Sequence, residues 1–337
     1  MVVLVGAGSG PGQAQQLVGA GATFPYPLYS RWFDQYARAT GVRINYQSIG
    51  SGGGIRQFVQ GTVDFGATDG PMTDAQIASV QGNVVHIPTV LGAVVLTYNL
   101  PTLGSTTLRL DPETIADIYL GRITRWDHPR LAALNPGVAL PREDVIVVHR
   151  SDGSGTTYVF SDYLSKVSPA WGERVGRGTS LRWPTGIGGR GNEGVTAQVK
   201  QLRGAIGYVE LVYAFSNRLP VAQVRNRAGV FVTPNLASVS AAGAGVELGP
   251  DTDFRVSITN ADGRASYPIA SFTWLLLRAD NPDTAKGRAL RDFVRWMLSD
   301  EAQAIARELG YAPLPAPVAA LVRGRVATLR AGGRPIA

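Results

Sequence analysis

The stretch Arg150-Ser151-Asp152-Gly153-Ser154-Gly155-Thr156-Thr157 gathers a guanidinium, hydroxyls and unclaimed backbone amides in one short span. A guanidinium grips carboxylate or phosphate oxygens through a planar fork of donors. Free N–H groups where a helix begins add further donors and a positive dipole end. Together they suit a tetrahedral oxyanion. Two more loops share the type, Gly19–Phe24 and Ser48–Gly54, each leaving an apolar strand, mixing Gly with Ser or Thr, and opening a helix. Helix capping alone would account for the Ser and Thr residues, at about 1 kcal/mol each. It does not require so many adjacent glycines, so three such loops plus Arg150 point to one shared anion site.

Asp69 narrows the chemistry. A carboxylate beside an oxyanion repels it unless the anion brings a proton to donate. Hydrogen phosphate has one at neutral pH and sulfate has none. An aspartate in the site therefore selects phosphate, because sulfate leaves a buried acceptor without a partner. The plainer reading of Thr68-Asp69-Gly70-Pro71 is a turn. Asp152, two residues from Arg150, is placed either to hold the guanidinium fork or to cap the following helix.

Other chemistries fit poorly. No Lys follows the glycines as a P-loop demands, and the N-terminal glycines do not spell G-x-G-x-x-G. Asp152-Gly153-Ser154-Gly155 is not a G-x-S-x-G elbow, and no pattern singles out a base among His86, His128 and His149. The chain has no cysteine, which removes thiolate metal sites and disulfides, and three scattered histidines leave little for a metal centre. No metal and no cofactor is expected. The net charge of +7 rests on 29 Arg and 3 Lys, but no run of five basic residues occurs, so nucleic acid is not an expected partner.

The elements that must carry these loops alternate strand, loop and helix. Val145–Val148 reads as a buried strand before the Arg150 loop, with helical periodicity from Tyr158. Leu17–Gly21, Val42–Gln47 and Thr62–Ala67 read as strands, and Leu28, Trp32, Phe33 and Tyr36 share one helical face. This is an α/β fold with mostly parallel pairing. Two long apolar strands, Pro88–Tyr98 and one from Pro268, are placed to link two lobes, the segment between them forming an inserted lobe. Trp183–Gly194 is a fourth Gly-rich loop before a helix. Residues 228–266 read as loops with one or two short strands. Thr284–Leu309 reads as an amphipathic helix broken near Ser299 and closed by Gly310. No apolar run approaches the ~18–20 residues of a membrane helix. Residues 1–16 read as the remnant of a signal peptide, or as a disordered Gly-rich start.

The motifs Gly-Ala-Gly-Ala-Thr-Phe-Pro (19–25), Tyr-Gln-Ser-Ile-Gly-Ser-Gly-Gly-Gly (46–54), Val-Asp-Phe-Gly-Ala-Thr-Asp (63–69) and Arg-Ser-Asp-Gly-Ser-Gly-Thr (150–156) resemble the periplasmic phosphate-binding protein family of bacterial phosphate ABC transporters. Asp-Ile-Tyr-Leu-Gly (117–121), the loop 183–192 and Gly-Ala-Ile-Gly-Tyr-Val-Glu (204–210) extend the match, which runs from about residue 17 to 325 in family order. The resemblance implies a two-lobed type II binding-protein fold, each lobe a mixed, mostly parallel sheet flanked by helices. It divides the chain into an outer lobe (17–89 plus 266–337) and an inserted lobe (90–265), with the ligand between. It implies phosphate ligands Thr23, Phe24 (backbone N–H), Ser51 and Asp69 from the first, and Arg150, Ser154, Gly155 (backbone N–H) and Thr156 from the second. Asp152 would support Arg150. Thr68, His149 and Gly52 depart from residues common in the family, and none of these removes a ligand. The implied protein is a secreted, periplasmic or extracellular monomer without catalytic residues that hands inorganic phosphate to membrane ABC permease subunits. The alternatives are a receptor for sulfate or molybdate, or a phosphate-ester hydrolase.

Overall fold

The computed structural model describes residues 16–336. The expectation for residues 1–15 lies outside that range, and Gln16 already belongs to the first strand. Eight strands build the main sheet: β1 (Gln16–Gly21), β2 (Arg43–Ser48), β3 (Phe65–Thr68), β4 (Val84–Tyr98), β5 (Ile146–Arg150), β6 (Ile187–Gly189), β7 (Ala205–Glu210) and β8 (Ala270–Arg278). Their order is β2-β1-β3-β8-β4-β7-β5-β6. The pairs β1/β2, β1/β3, β5/β6 and β5/β7 are parallel, while β3/β8, β8/β4 and β4/β7 are antiparallel. Each end of the sheet is thus a parallel unit, and the two long strands β4 and β8 carry the chain between them.

Near-continuous apolar runs identify strands covered on both faces, and β4 and β8 are buried along almost their whole length. Their register shifts between Thr273 and Trp274. Parallel pairing at the ends brings the carboxyl ends of β1, β2 and β3 to one edge and those of β5 and β6 to another, where loops lead into helices. Those helices are α1 (Tyr26–Thr40), α2 (Ser51–Gln60), α3 (Gly155–Val167) and α4 (Gly191–Gln201).

On α1, Leu28, Tyr29, Trp32, Phe33 and Tyr36 are all buried, as their spacing predicts, and Gly41 ends the helix in the left-handed region. Their rings meet Tyr46 and Phe65 across the sheet. The opposite end has its own aromatic stack, His149 on Trp183, Trp183 on Tyr208 and Tyr208 on Phe160. The helical segment 284–309 is two helices, Thr284–Met297 and Asp300–Glu308, with Ser299 capping the second by accepting from the Ala302 amide.

Residues 228–266 depart from the loop expectation: Leu236–Ala244 is a helix, opened by a capping box between Asn235 and Ser238. Its sequence, LASVSAAGA, is Ala, Ser and Gly apart from Leu236 and Val239, so it presents almost no contrast between faces for periodicity to reveal. Among the described residues no helix is long and apolar enough to cross a membrane.

Candidate functional site

The site grows from four strand-to-helix loops. After β1, Thr23 and Phe24 turn the chain into α1, with Pro25 and Pro27 at the helix start. After β2, Gly50 takes φ +84°, a conformation side chains rarely adopt, and a Cβ there would meet the Asp152 carboxylate at 2.3 Å. Ser51 therefore opens α2 against the opposite end of the sheet. After β3 comes Asp69, and after β5 the loop from Arg150 to Thr156. Thr23, Phe24, Ser51, Asp69, Arg150, Ser154, Gly155 and Thr156 are all buried.

The structure brings these residues together. A Cβ on Gly155 would stand 2.4 Å from Ser51 Oγ and 2.5 Å from Asp69 Oδ2, so the start of α3 touches the β2 and β3 loops directly. The Gly52 amide donates to the Gly153 carbonyl at 2.9 Å, and a Cβ on either glycine would sit 3.0 Å from the other's Cα. Ser154 is the N-cap of α3, its Oγ accepting from the Thr157 amide at 3.0 Å.

Both readings of Asp152 resolve toward Arg150. Arg150 Nε donates to Oδ1 at 2.8 Å and Nη2 to Oδ2 at 2.6 Å, a two-pronged pair with the guanidinium side chain 1% exposed. The Gly191 amide also donates to Asp152 Oδ1, at 3.0 Å. Burial pushes this carboxyl up, and the hydrogen bonds and charge of Arg150 more than reverse that, holding it below its usual range. The remaining prong, Nη1, donates to Thr156 Oγ1 at 3.3 Å.

Asp69 is not a surface turn residue. Burial pushes its carboxyl up to about 7, against the hydrogen bond from Thr273, the charge of Arg150 and the hydrogen bond from Ser51. Thr273 Oγ1 donates to Oδ1 at 2.8 Å, and the Asp69 amide donates to Ser51 Oγ at 3.2 Å. Asp69 also lines a cavity of about 180 Å³ that Arg177, Arg255 and Trp274 border. A carboxyl poised near neutrality beside a guanidinium and hydroxyls can share a proton with an oxyanion that carries one.

Two residues of this cluster escaped the sequence. Thr273 sits inside a continuous apolar strand, where its hydroxyl gave no signal. Asn192 stands in the fourth Gly-rich loop: its backbone and Nδ2 donate to Thr23 Oγ1 at 3.2 and 2.7 Å, and Nδ2 reaches Thr156 Oγ1 at 3.1 Å. The available signal was that loop's strand-to-helix type, the same as that of the Arg150 loop. His149, by contrast, lies stacked on Trp183, with Nδ1 3.0 Å from the Arg150 carbonyl oxygen.

Residues 6–301 match the family model described as a PBP superfamily domain. The phosphate-binding protein PstS of Xylella fastidiosa is 45% identical over 300 residues, 89% of this chain and 82% of that protein. The phosphate-binding protein PstS of Pasteurella multocida is 46% identical over 308 residues, covering 91% and 88%. In solved structures, a high-affinity periplasmic phosphate-binding protein named PfluDING, determined with phosphate bound, aligns with a TM-score of 0.75 over 92% of this chain and 93% of its own, at 23% identity. That likeness speaks for the fold, a two-lobed mixed α/β architecture, and the sequence matches speak for descent: the chain belongs to the PstS family of phosphate-binding proteins within the PBP superfamily.

Proposed function

We infer that the chain is an extracytoplasmic receptor that closes two lobes over one hydrogen phosphate ion and delivers it, as a monomer, to a membrane ABC permease. The lobes are 17–89 with 266–337 and 90–265, meeting along β4 and β8. The ligands are Thr23, the Phe24 amide, Ser51 and Asp69 on one side, and Arg150, Ser154, the Gly155 amide and Thr156 on the other. Asp152 fixes the fork of Arg150. The observation that carries this reading is the buried Asp69 carboxyl packed against the helix start that presents Ser154, Gly155 and Thr156. A general anion receptor has no use for an acceptor there, whereas hydrogen phosphate has a proton for it.

The family membership and the names of the relatives favour phosphate over sulfate or molybdate. An esterase reading is disfavoured because Ser154 Oγ is engaged as a helix cap and the His149 ring is stacked away on Trp183. Roughly eight to ten hydrogen bonds, several charge-assisted, support micromolar or tighter binding after desolvation and closure costs. Calorimetry of the phosphate-stripped protein with phosphate and with sulfate at pH 8 tests the reading. Phosphate alone should bind, and equal binding of sulfate would refute it.

A further inference from the structure

Asn192 occupies a position that its neighbours make unambiguous. The Glu210 amide donates to Asn192 Oδ1 at 2.8 Å, which fixes the carbonyl end of the side chain toward β7. The Nδ2 end must then face Thr23 and Thr156, and its two hydrogens reach one hydroxyl each, at 2.7 and 3.1 Å. Thr23 Oγ1 receives a second donor, the Asn192 amide, at 3.2 Å, and Thr156 Oγ1 receives Arg150 Nη1 at 3.3 Å.

A hydroxyl oxygen has two lone pairs and one proton. Both lone pairs of Thr23 Oγ1 are filled, and so are both of Thr156 Oγ1. Among the described residues neither hydroxyl donates to another protein group. Each therefore has only one role left, to donate a proton into the space between the β1 loop and the start of α3. The two threonines come from opposite ends of the sheet, and a single amide group sets both.

We propose that Asn192 is a positioning residue that turns the Thr23 and Thr156 hydroxyls into obligate donors, so that the assembled site accepts only a ligand offering acceptor oxygens to both. This rests on the phosphate reading of the same cleft. It also gives Asn192 a part in closure, since its bonds to Thr23 form only when the two ends of the sheet meet. An unoriented hydroxyl can point its lone pair at an anion and repel it. The oriented pair cannot.

The test is a thermodynamic cycle on the full chain, using inorganic phosphate and calorimetry. Asn192→Ala should weaken phosphate binding on the order of 10- to 100-fold, the worth of two oriented donors. Asn192→Asp keeps the shape and the acceptor for the Glu210 amide but offers oxygen to both hydroxyls. It should lose more than Asn192→Ala, and it decides the matter if the alanine variant does not fold. The reading that separates orientation from mere packing is the double variant. Once Thr23→Val has removed one of the two hydroxyls, Asn192→Ala should cost clearly less than it does in the wild type. Binding within twofold of the wild type for Asn192→Asp, or strictly additive losses in the Thr23→Val background, would overturn the proposal. A wild-type protein that binds no phosphate would refute the function of the cleft instead.

Discussion

The two ends of the sheet bring hydroxyls and amides alike to the same space but differ in the charged group each adds. The β5 end supplies the cation, but Arg150 arrives already matched by Asp152 through two hydrogen bonds. The β1–β3 end supplies hydroxyls and a carboxyl, with no cation among its proposed ligands. Counted together, the site residues offer an anion no net positive charge when Asp69 is protonated, and one negative charge when it is not. In the proposed site an oxyanion would therefore be held by donors fixed in place rather than by an excess of charge. The division of labour follows: one end provides strength, the other provides choice.

The largest break in this arrangement is steric. Gly155→Ala puts a methyl within 2.5 Å of Asp69 Oδ2 and 2.7 Å of its Cβ, so the ends cannot meet. Phosphate affinity should fall by about a thousandfold or more, and unchanged calorimetry would show that the contact is not part of binding. Arg150→Met strikes the β5 end alone. It removes the guanidinium and leaves the half-buried Asp152 with only the Gly191 amide, at a cost of about 2–5 kcal/mol in binding. A loss of less than tenfold would mean that the amides, not the guanidinium, provide the strength.

Asp69 tests the other end. Its carboxyl is raised from 3.8 to about 7 in the assembled site. Below that value it holds a proton and can donate to an oxyanion that has none; above it, it is a bare acceptor. Sulfate should compete with phosphate at acidic pH and stop competing as pH rises through about 7. In Asp69→Asn, sulfate should compete at every pH, while the melting temperature at pH 8 is kept or raised. Sulfate competition that is independent of pH in the wild type would remove Asp69 from selection. The smallest expected effect concerns salt. With no net positive charge to screen, phosphate affinity measured at about 50 mM and about 500 mM sodium chloride should differ by less than roughly threefold.

How much of this could be read from the chain depends on the kind of residue. Arg150, Ser154 and Asp69 were visible because glycine, hydroxyl and charge are rare together at strand ends. The sheet was visible because strand, loop and helix alternate along the chain and the buried strands β4 and β8 are written as apolar runs. Asn192 was passed over because an amide in a Gly-rich loop reads as turn chemistry until its two threonines are placed beside it, one 169 residues away. Thr273 was hidden for the opposite reason, a hydroxyl inside a strand whose neighbours all read as core. The helix Leu236–Ala244 was missed because Ala, Ser and Gly give no amphipathic rhythm, although its capping residue Asn235 was in plain view.

The contact between Gly52 and Gly153 has a practical consequence. Its hydrogen bond joins backbone to backbone across the two ends of the sheet, with no side chain in between. The Gly52 amide is therefore shielded only while the ends are together and is open to solvent exchange whenever they part. Followed by deuterium exchange or by its nitrogen-15 resonance, that one proton would count the openings of the cleft. Under conditions where every opening leads to exchange, its rate in saturating phosphate is the opening rate, which sets a lower limit on how long a captured ion stays.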